Sequence, residues 1–189
     1  MTLVEEFTAA TMTNRQKVWV SAFGTWLAVS LYTNGLWILG LAPKDVGSWT
    51  YSSSIMLVAG LVSIVLHEGL HGVFFYRFCG QAKFGATWSK LGPVFWASAP
   101  GSQLTRRRYQ MVVLAPQILT VAIVIVLLTT PLPIGIAYGL LCGAAFNLGG
   151  GCMDIYVVKW LRKYPPDYIL EDIKDGCRVY APEVQMKEA

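Results

Sequence analysis

Long apolar stretches separated by short polar segments dominate this chain. Four of them, at 18–42, 54–76, 109–130 and 134–158, have the roughly 20 residues that a helix needs to cross a bilayer. They are apolar on nearly every face, whereas the helices of a soluble domain keep a polar face toward water. The pattern therefore predicts an all-α transmembrane fold, a bundle of four membrane-spanning helices.

The composition agrees with a membrane protein. Of the 189 residues, 54% are hydrophobic and 14% are charged, and the mean hydropathy of +0.49 lies outside the range of ordinary soluble domains. We therefore predict one membrane domain over 18–160. An N-terminal extension over 1–17 precedes it, and a tail over 161–189 follows it.

Basic residues cluster on one side of the predicted spans. The connection 77–108 carries six of them and no acidic residue. Others precede the first span or follow the fourth: Arg15, Lys17, Lys159, Arg162 and Lys163. The positive-inside rule then predicts that both termini and this connection are cytoplasmic. Anionic lipid headgroups account for the net charge of +4, so the bilayer is an expected partner and nucleic acid is not.

The second span contains both histidines of the chain, His67 and His71, with Glu68 directly after the first. On a helix, residues four apart lie on one face about one turn apart, which suits two ligands of a tetrahedral zinc ion. Glu68 lies one residue further round the helix, where it can act as a general base toward the attacking water. The motif predicts a zinc-dependent hydrolase.

The ionisable residues inside the spans supply a third ligand. There are four of them: His67, Glu68, His71 and Asp154. Such groups are costly in a bilayer, so they usually pair or bind ions. His71 precedes Arg77 by six residues and Asp154 precedes Lys159 by five, which places both roughly 8–9 Å below the same interface. Asp154 is therefore the predicted third zinc ligand. The alternative is that its carboxylate extends to interfacial water.

Glycines predict how the fourth span approaches the second. Gly135, Gly139 and Gly143 recur every four residues, and Asn147 continues the series. Such small faces let transmembrane helices pack closely, here against the second span, although they also serve contacts between copies. The glycines at 149–151 weaken the helix between Asn147 and Asp154.

These residues resemble a known family. The His67-Glu68-Gly69-Leu70-His71 segment, with Asn147 and Asp154 in a later span, resembles the site-2 protease type of intramembrane zinc metalloprotease. The chain more closely resembles a family of small bacterial membrane proteins named "putative zincin peptidase", of unknown function. Additional matching features are Ala99-Pro100, Leu114-Ala115-Pro116, Glu171-Asp172, Gly176 and Tyr180.

The resemblance implies a zinc metalloendopeptidase of the bacterial cell membrane. Its substrates would be membrane proteins or peptides, cut near the cytoplasmic face, with Asn147 binding substrate. The chain departs from site-2 proteases because Leu148 follows the asparagine and Ile155 follows Asp154, in place of a proline and a glycine. A non-catalytic membrane adaptor, or a metal-binding protein with a relic site, is the alternative.

The connection between spans two and three holds two short aromatic-rich segments, 83–88 and 94–98. They predict a cytoplasmic hairpin against the membrane beside the site. Its aromatic residues suit interfacial anchoring, and in related proteases such strands pair with an extended substrate. Pro116 predicts a kink in the third span, either a structural one or one that opens a water path.

Overall fold

The computed structural model describes residues 1–8, 10–89, 92–173 and 176–182. Five α-helices form its main body: α1 (Asn14–Ile38), α2 (Trp49–Cys79), α3 (Arg106–Thr129), α4 (Ile134–Gly150) and α5 (Cys152–Leu161). The strands are β1 (Thr2–Thr8), β2 (Lys83–Ser89), β3 (Gly92–Ser98), β4 (Gln103–Thr105), β5 (Ile169–Ile173) and β6 (Gly176–Ala181). A single 3-10 turn (Pro43–Val46) connects α1 to α2.

Three of the described helical segments are long and apolar enough to cross a membrane. They are Thr50–Cys79, Arg106–Thr129, and Ile134–Leu161, which joins α4 to α5. These segments bear out the membrane character expected from the sequence. The 25-residue helix α1 packs along α4 and α5, and its crossing of the membrane, like the four-helix bundle, stays a prediction.

The fold is mostly helical, as expected, but it is not purely α, because four short strands form an antiparallel sheet in the order β1-β6-β5-β4. Alternate residues of β5 and β6 point into the core, where Leu170, Cys177 and Val179 are fully buried. β5 and β6 form a local hairpin, but β1 and β4 pair with strands more than 60 residues away along the chain. Strands of three to seven residues with such distant partners leave little periodicity to detect.

This sheet lies at one end of the helices, because β1 precedes α1, β4 follows α2, and β5 follows α5. A hydrophobic cluster joins it to the helix ends, including Phe7, Val112, Leu161 and Leu170. The N-terminal extension, the membrane region and the tail thus share one core. The boundaries after 17 and after 160 stay predictions, and the end of the tail, 183–189, lies outside the described residues.

The second, smaller sheet is the antiparallel pair β2-β3, which follows α2 directly. Its contact with α2 is close because Gly72 has no side chain. A Cβ atom there would lie 2.1 Å from the Phe84 ring. The pair therefore rests against the same helix that carries both histidines. Its position on the cytoplasmic side of a membrane stays a prediction.

Helices α2 and α4 pack through the predicted glycine face. A Cβ atom on Gly139 would lie 3.3 Å from Ile55, and Ser63 Oγ donates a hydrogen bond of 3.0 Å to the Gly143 carbonyl. The close contact expected between these helices is confirmed. It brings the His67 turn of α2 beside the C-terminal end of α4.

Adjacent glycines in α4 allow a matched test of this packing. A Cβ atom on Gly149 would lie 2.8 Å from Ala28 Cβ and 3.1 Å from the Gly24 carbonyl oxygen, whereas one on Gly150 meets nothing within 4 Å. We expect Gly149→Ala to destabilise the protein by about 1–3 kcal/mol through overpacking against α1. Gly150→Ala should be neutral or slightly stabilising, because alanine favours the helix. Thermal unfolding of the detergent-purified variants measures both, and equal melting temperatures would contradict the α1–α4 contact.

Candidate metal centre

Two helices bring three ligand atoms together. α2 carries His67 and His71 on one face, with ring centroids 5.0 Å apart, and the first turn of α5 carries Asp154. Asp154 Oδ2 lies 3.2 Å from His67 Nε2 and 3.5 Å from His71 Nε2. All three candidate ligand atoms lie within 4.8 Å of one another. The residues that the sequence singled out as metal ligands therefore converge.

The hydrogen bond made by His71 determines which of its nitrogens faces Asp154. His71 Nδ1 lies 2.9 Å from the carbonyl oxygen of Val112 in α3. A carbonyl only accepts hydrogen bonds, so Nδ1 must carry the proton. In the neutral imidazole, Nε2 then presents a lone pair toward Asp154.

Asn147 determines the orientation of His67 in the same way. Its Nδ2 donates to the Pro116 carbonyl at 2.8 Å and to Thr120 Oγ1 at 2.7 Å. Because the Pro116 carbonyl requires a donor, the amide oxygen of Asn147 must be the atom that faces His67 Nδ1, at 3.0 Å. His67 Nδ1 therefore carries a proton, and its Nε2 lone pair also points toward Asp154.

The resulting arrangement fits a cation. Asp154 Oδ2 is shielded from solvent and receives no hydrogen bond from any described residue, yet two imidazole nitrogens face it. Lone pairs that converge without a donor repel one another, and a divalent ion between them removes that repulsion. Two histidines and one carboxylate are a donor set of catalytic zinc sites, which keep a fourth position for water or substrate.

Glu68 lies beside this cluster without being one of its three members. With His71 and Asp154, it lines a cavity of about 290 Å³. With His67 and Asn147, it lines a smaller one of about 110 Å³. Its carboxylate faces the backbone amide of Ala97 in β3. Glu68 is thus within the space that a reacting molecule would share with the ligands.

The sheet covers the larger cavity, through Asp172 and Ile173 of β5 and Gly176 of β6. Asp172 holds this cover in place by accepting hydrogen bonds from Ser98 Oγ at 2.5 Å, the Ala99 amide at 2.7 Å and Tyr109 OH at 3.2 Å. Burial raises the pKa of the Asp172 carboxyl, although these donors oppose the rise. The described strands of the tail therefore line the same cavity as Glu68 and two of the candidate ligands.

Sequence reasoning missed the residues behind the histidines. The Val112 acceptor is a backbone atom, which no side-chain motif reveals. Thr120 resembles any other polar residue of a membrane helix. The structure also places Asn147 behind His67, with its amide oxygen and nitrogen already engaged. The expected substrate-binding role of Asn147 stays a prediction.

Comparison with known proteins identifies a family. The model of the family described as "Putative zincin peptidase" matches residues 60–169, which include both histidines, Glu68 and Asp154. Neither the curated proteins nor the solved structures contain a match to this chain. The family match covers more than half of the sequence. The chain therefore belongs to the putative zincin peptidase family.

Proposed function

We propose that this protein is an intramembrane zinc metalloendopeptidase, related in motif to site-2 proteases. It hydrolyses peptide bonds of membrane-embedded or membrane-associated substrates near the cytoplasmic face of a bacterial cell membrane. The observation that carries the proposal is the convergence of His67, His71 and Asp154, with Glu68 lining the cavities on which these ligands border. Three apolar helices of membrane-spanning length support its setting.

The chain's own residues have separate tasks in hydrolysis. His67, His71 and Asp154 hold zinc, which when bound acidifies water and polarises a peptide carbonyl. Glu68 accepts the proton of the attacking water and delivers it to the leaving amine, so that the C–N bond breaks without expelling an amide anion. Asn147 and the Val112 carbonyl keep the two imidazoles in the tautomer that ligates through Nε2.

The surroundings of Glu68 favour an extended substrate segment. An intact helix engages its own carbonyls in hydrogen bonds, so a substrate helix has to unwind before its peptide bond can be attacked. The cavity wall opposite the ligands includes Val94, Phe95 and Ala97 of β3. A strand beside the catalytic carboxylate provides backbone groups that pair with an extended chain.

The test measures zinc-dependent cleavage. The purified full-length protein, reconstituted in liposomes, is incubated with a library of single-span membrane peptides, and new termini are detected by mass spectrometry. We expect cleavage that stops when a chelator removes zinc and resumes when zinc is restored. If zinc-loaded protein cuts no library peptide within the bilayer or at its interface, the non-catalytic adaptor is the better interpretation.

A further inference from the structure

We propose that Pro116 is a positioning residue of the metal centre, which releases the Val112 carbonyl from α3 so that it can orient His71. The inference rests on the zinc site of the proposed function, but it does not require that the site hydrolyse peptides. It assigns a role to a helix that contributes none of the three proposed ligands.

Pro116 interrupts the backbone hydrogen bonding inside α3. In an α-helix the amide of residue 116 donates to the carbonyl of residue 112. Proline has no amide hydrogen, so Pro116 cannot make this bond, although α3 continues without a break from Arg106 to Thr129. The Val112 carbonyl thereby loses the amide donor that a carbonyl in the interior of a helix normally has.

The Val112 carbonyl that Pro116 releases lies in a buried part of α3. Val112 and Pro116 are both almost completely buried, so water does not replace the missing amide. A buried carbonyl without a donor is costly, and native structures nearly always provide one. Here the donor is His71 Nδ1, at 2.9 Å from the Val112 oxygen. The proline creates an acceptor, and the metal-ligand histidine satisfies it.

The same turn of α3 also orients His67, the other histidine. The Pro116 carbonyl and Thr120 Oγ1 receive the Asn147 amide, and the Asn147 oxygen faces His67 Nδ1. One turn of α3 therefore fixes both imidazoles, His71 directly and His67 through Asn147. Groups behind the ligands typically contribute about 10- to 100-fold to metal affinity.

The test uses Pro116→Ala, which restores an amide donor to the Val112 carbonyl. The chain has two histidines, so protein labelled with ¹⁵N-histidine gives two sets of ring signals. In zinc-free protein we expect the substitution to move His71 away from the Nδ1–H tautomer and to leave His67 almost unchanged. Zinc affinity, measured by chelator competition, should fall by about 10- to 100-fold.

Two control variants separate this role from a general effect of proline. Pro133→Ala changes a proline at the start of α4 and should leave the zinc affinity and both ring signals unchanged. Asn147→Leu should instead move the ring signals of His67. Equal zinc affinities of Pro116→Ala and the unsubstituted protein, with unchanged His71 signals, would overturn the proposal.

A double variant separates the effect of the released carbonyl from the effect of having a proline in α3. Pro116→Ala combined with Ile118→Pro retains a proline in α3 but releases the Leu114 carbonyl, on a partly exposed face. We expect this variant to bind zinc as weakly as Pro116→Ala. Restored affinity would show that the bend is what matters and would refute the role of Val112. The histidine ring signals and the zinc affinity are both measured without peptide cleavage. A protein that binds zinc but cleaves nothing would therefore leave this inference intact.

Discussion

Replacing Glu68 with glutamine is expected to abolish peptide hydrolysis while zinc remains bound. Glutamine has nearly the same size and fills the same space, but its amide does not accept a proton from water. General-base catalysis contributes roughly 100- to 10,000-fold to such reactions. We therefore expect the cleavage rate of Glu68→Gln to fall by about that factor, with a zinc content equal to that of the unsubstituted protein.

The geometry of the site explains why Glu68→Gln should lose cleavage and still retain zinc. The three atoms that converge belong to His67, His71 and Asp154, whereas Glu68 is not one of them and lines a cavity with His71 and Asp154. Elemental analysis and the liposome cleavage assay, applied to one preparation, measure both properties. Glu6→Gln is a suitable control, because Glu6 pairs with Arg178 at the edge of the sheet and should affect neither. Cleavage by Glu68→Gln at the normal rate would show that the assigned base is wrong.

Asp154→Ala is expected to lower zinc affinity by more than about 100-fold. This limit follows because residues behind a ligand already contribute 10- to 100-fold, and a direct ligand contributes more. Two histidines without the carboxylate do not compensate the charge of the ion. The loss of zinc affinity can be measured as a smaller stabilisation of the folded protein by zinc. Zinc at 100 times its dissociation constant stabilises the unsubstituted protein by about 2.7 kcal/mol, and the variant should gain almost nothing at that concentration.

The zinc-free proteins provide an additional test. Asp154 Oδ2 lies 3.2 Å from His67 Nε2 and 3.5 Å from His71 Nε2, close enough for an ion pair with a protonated imidazole when zinc is absent. Zinc-free Asp154→Ala loses this pairing, so it should unfold at a lower temperature than the zinc-free unsubstituted protein. Asp167→Ala, at an exposed position after α5, is the control. Normal zinc affinity in Asp154→Ala would mean that the carboxylate is not a ligand.

Hydropathy was sufficient to locate the helices that carry the site. The apolar stretch predicted over 54–76 corresponds to α2 (Trp49–Cys79), and 134–158 corresponds to Ile134–Leu161. The meeting of Asp154 with the histidines followed from a different argument, the equal depth of His71 and Asp154 below basic residues. Both inferences succeed because the membrane imposes a length and a depth on each helix.

The remaining parts of the structure depend on contacts that a linear pattern does not express. β4 has three residues and pairs with β5 more than 60 residues later. The acceptor for His71 is the main chain of Val112, so its role becomes visible only when α2 and α3 are packed together. The kink predicted at Pro116 stays a prediction. The proline leaves the Val112 carbonyl without its amide donor, but that His71 would take this donor's place was not identifiable from the sequence.

The order of strands in the four-stranded sheet has a consequence for biosynthesis. β1 is made first and β6 last among the described strands, yet β6 lies between β1 and β5. During translation β1 therefore stays without its neighbour in the sheet until β6, more than 160 residues later, has left the ribosome. The sheet that lines the candidate metal cavity is therefore completed only after His67, His71 and Asp154 have all been synthesised.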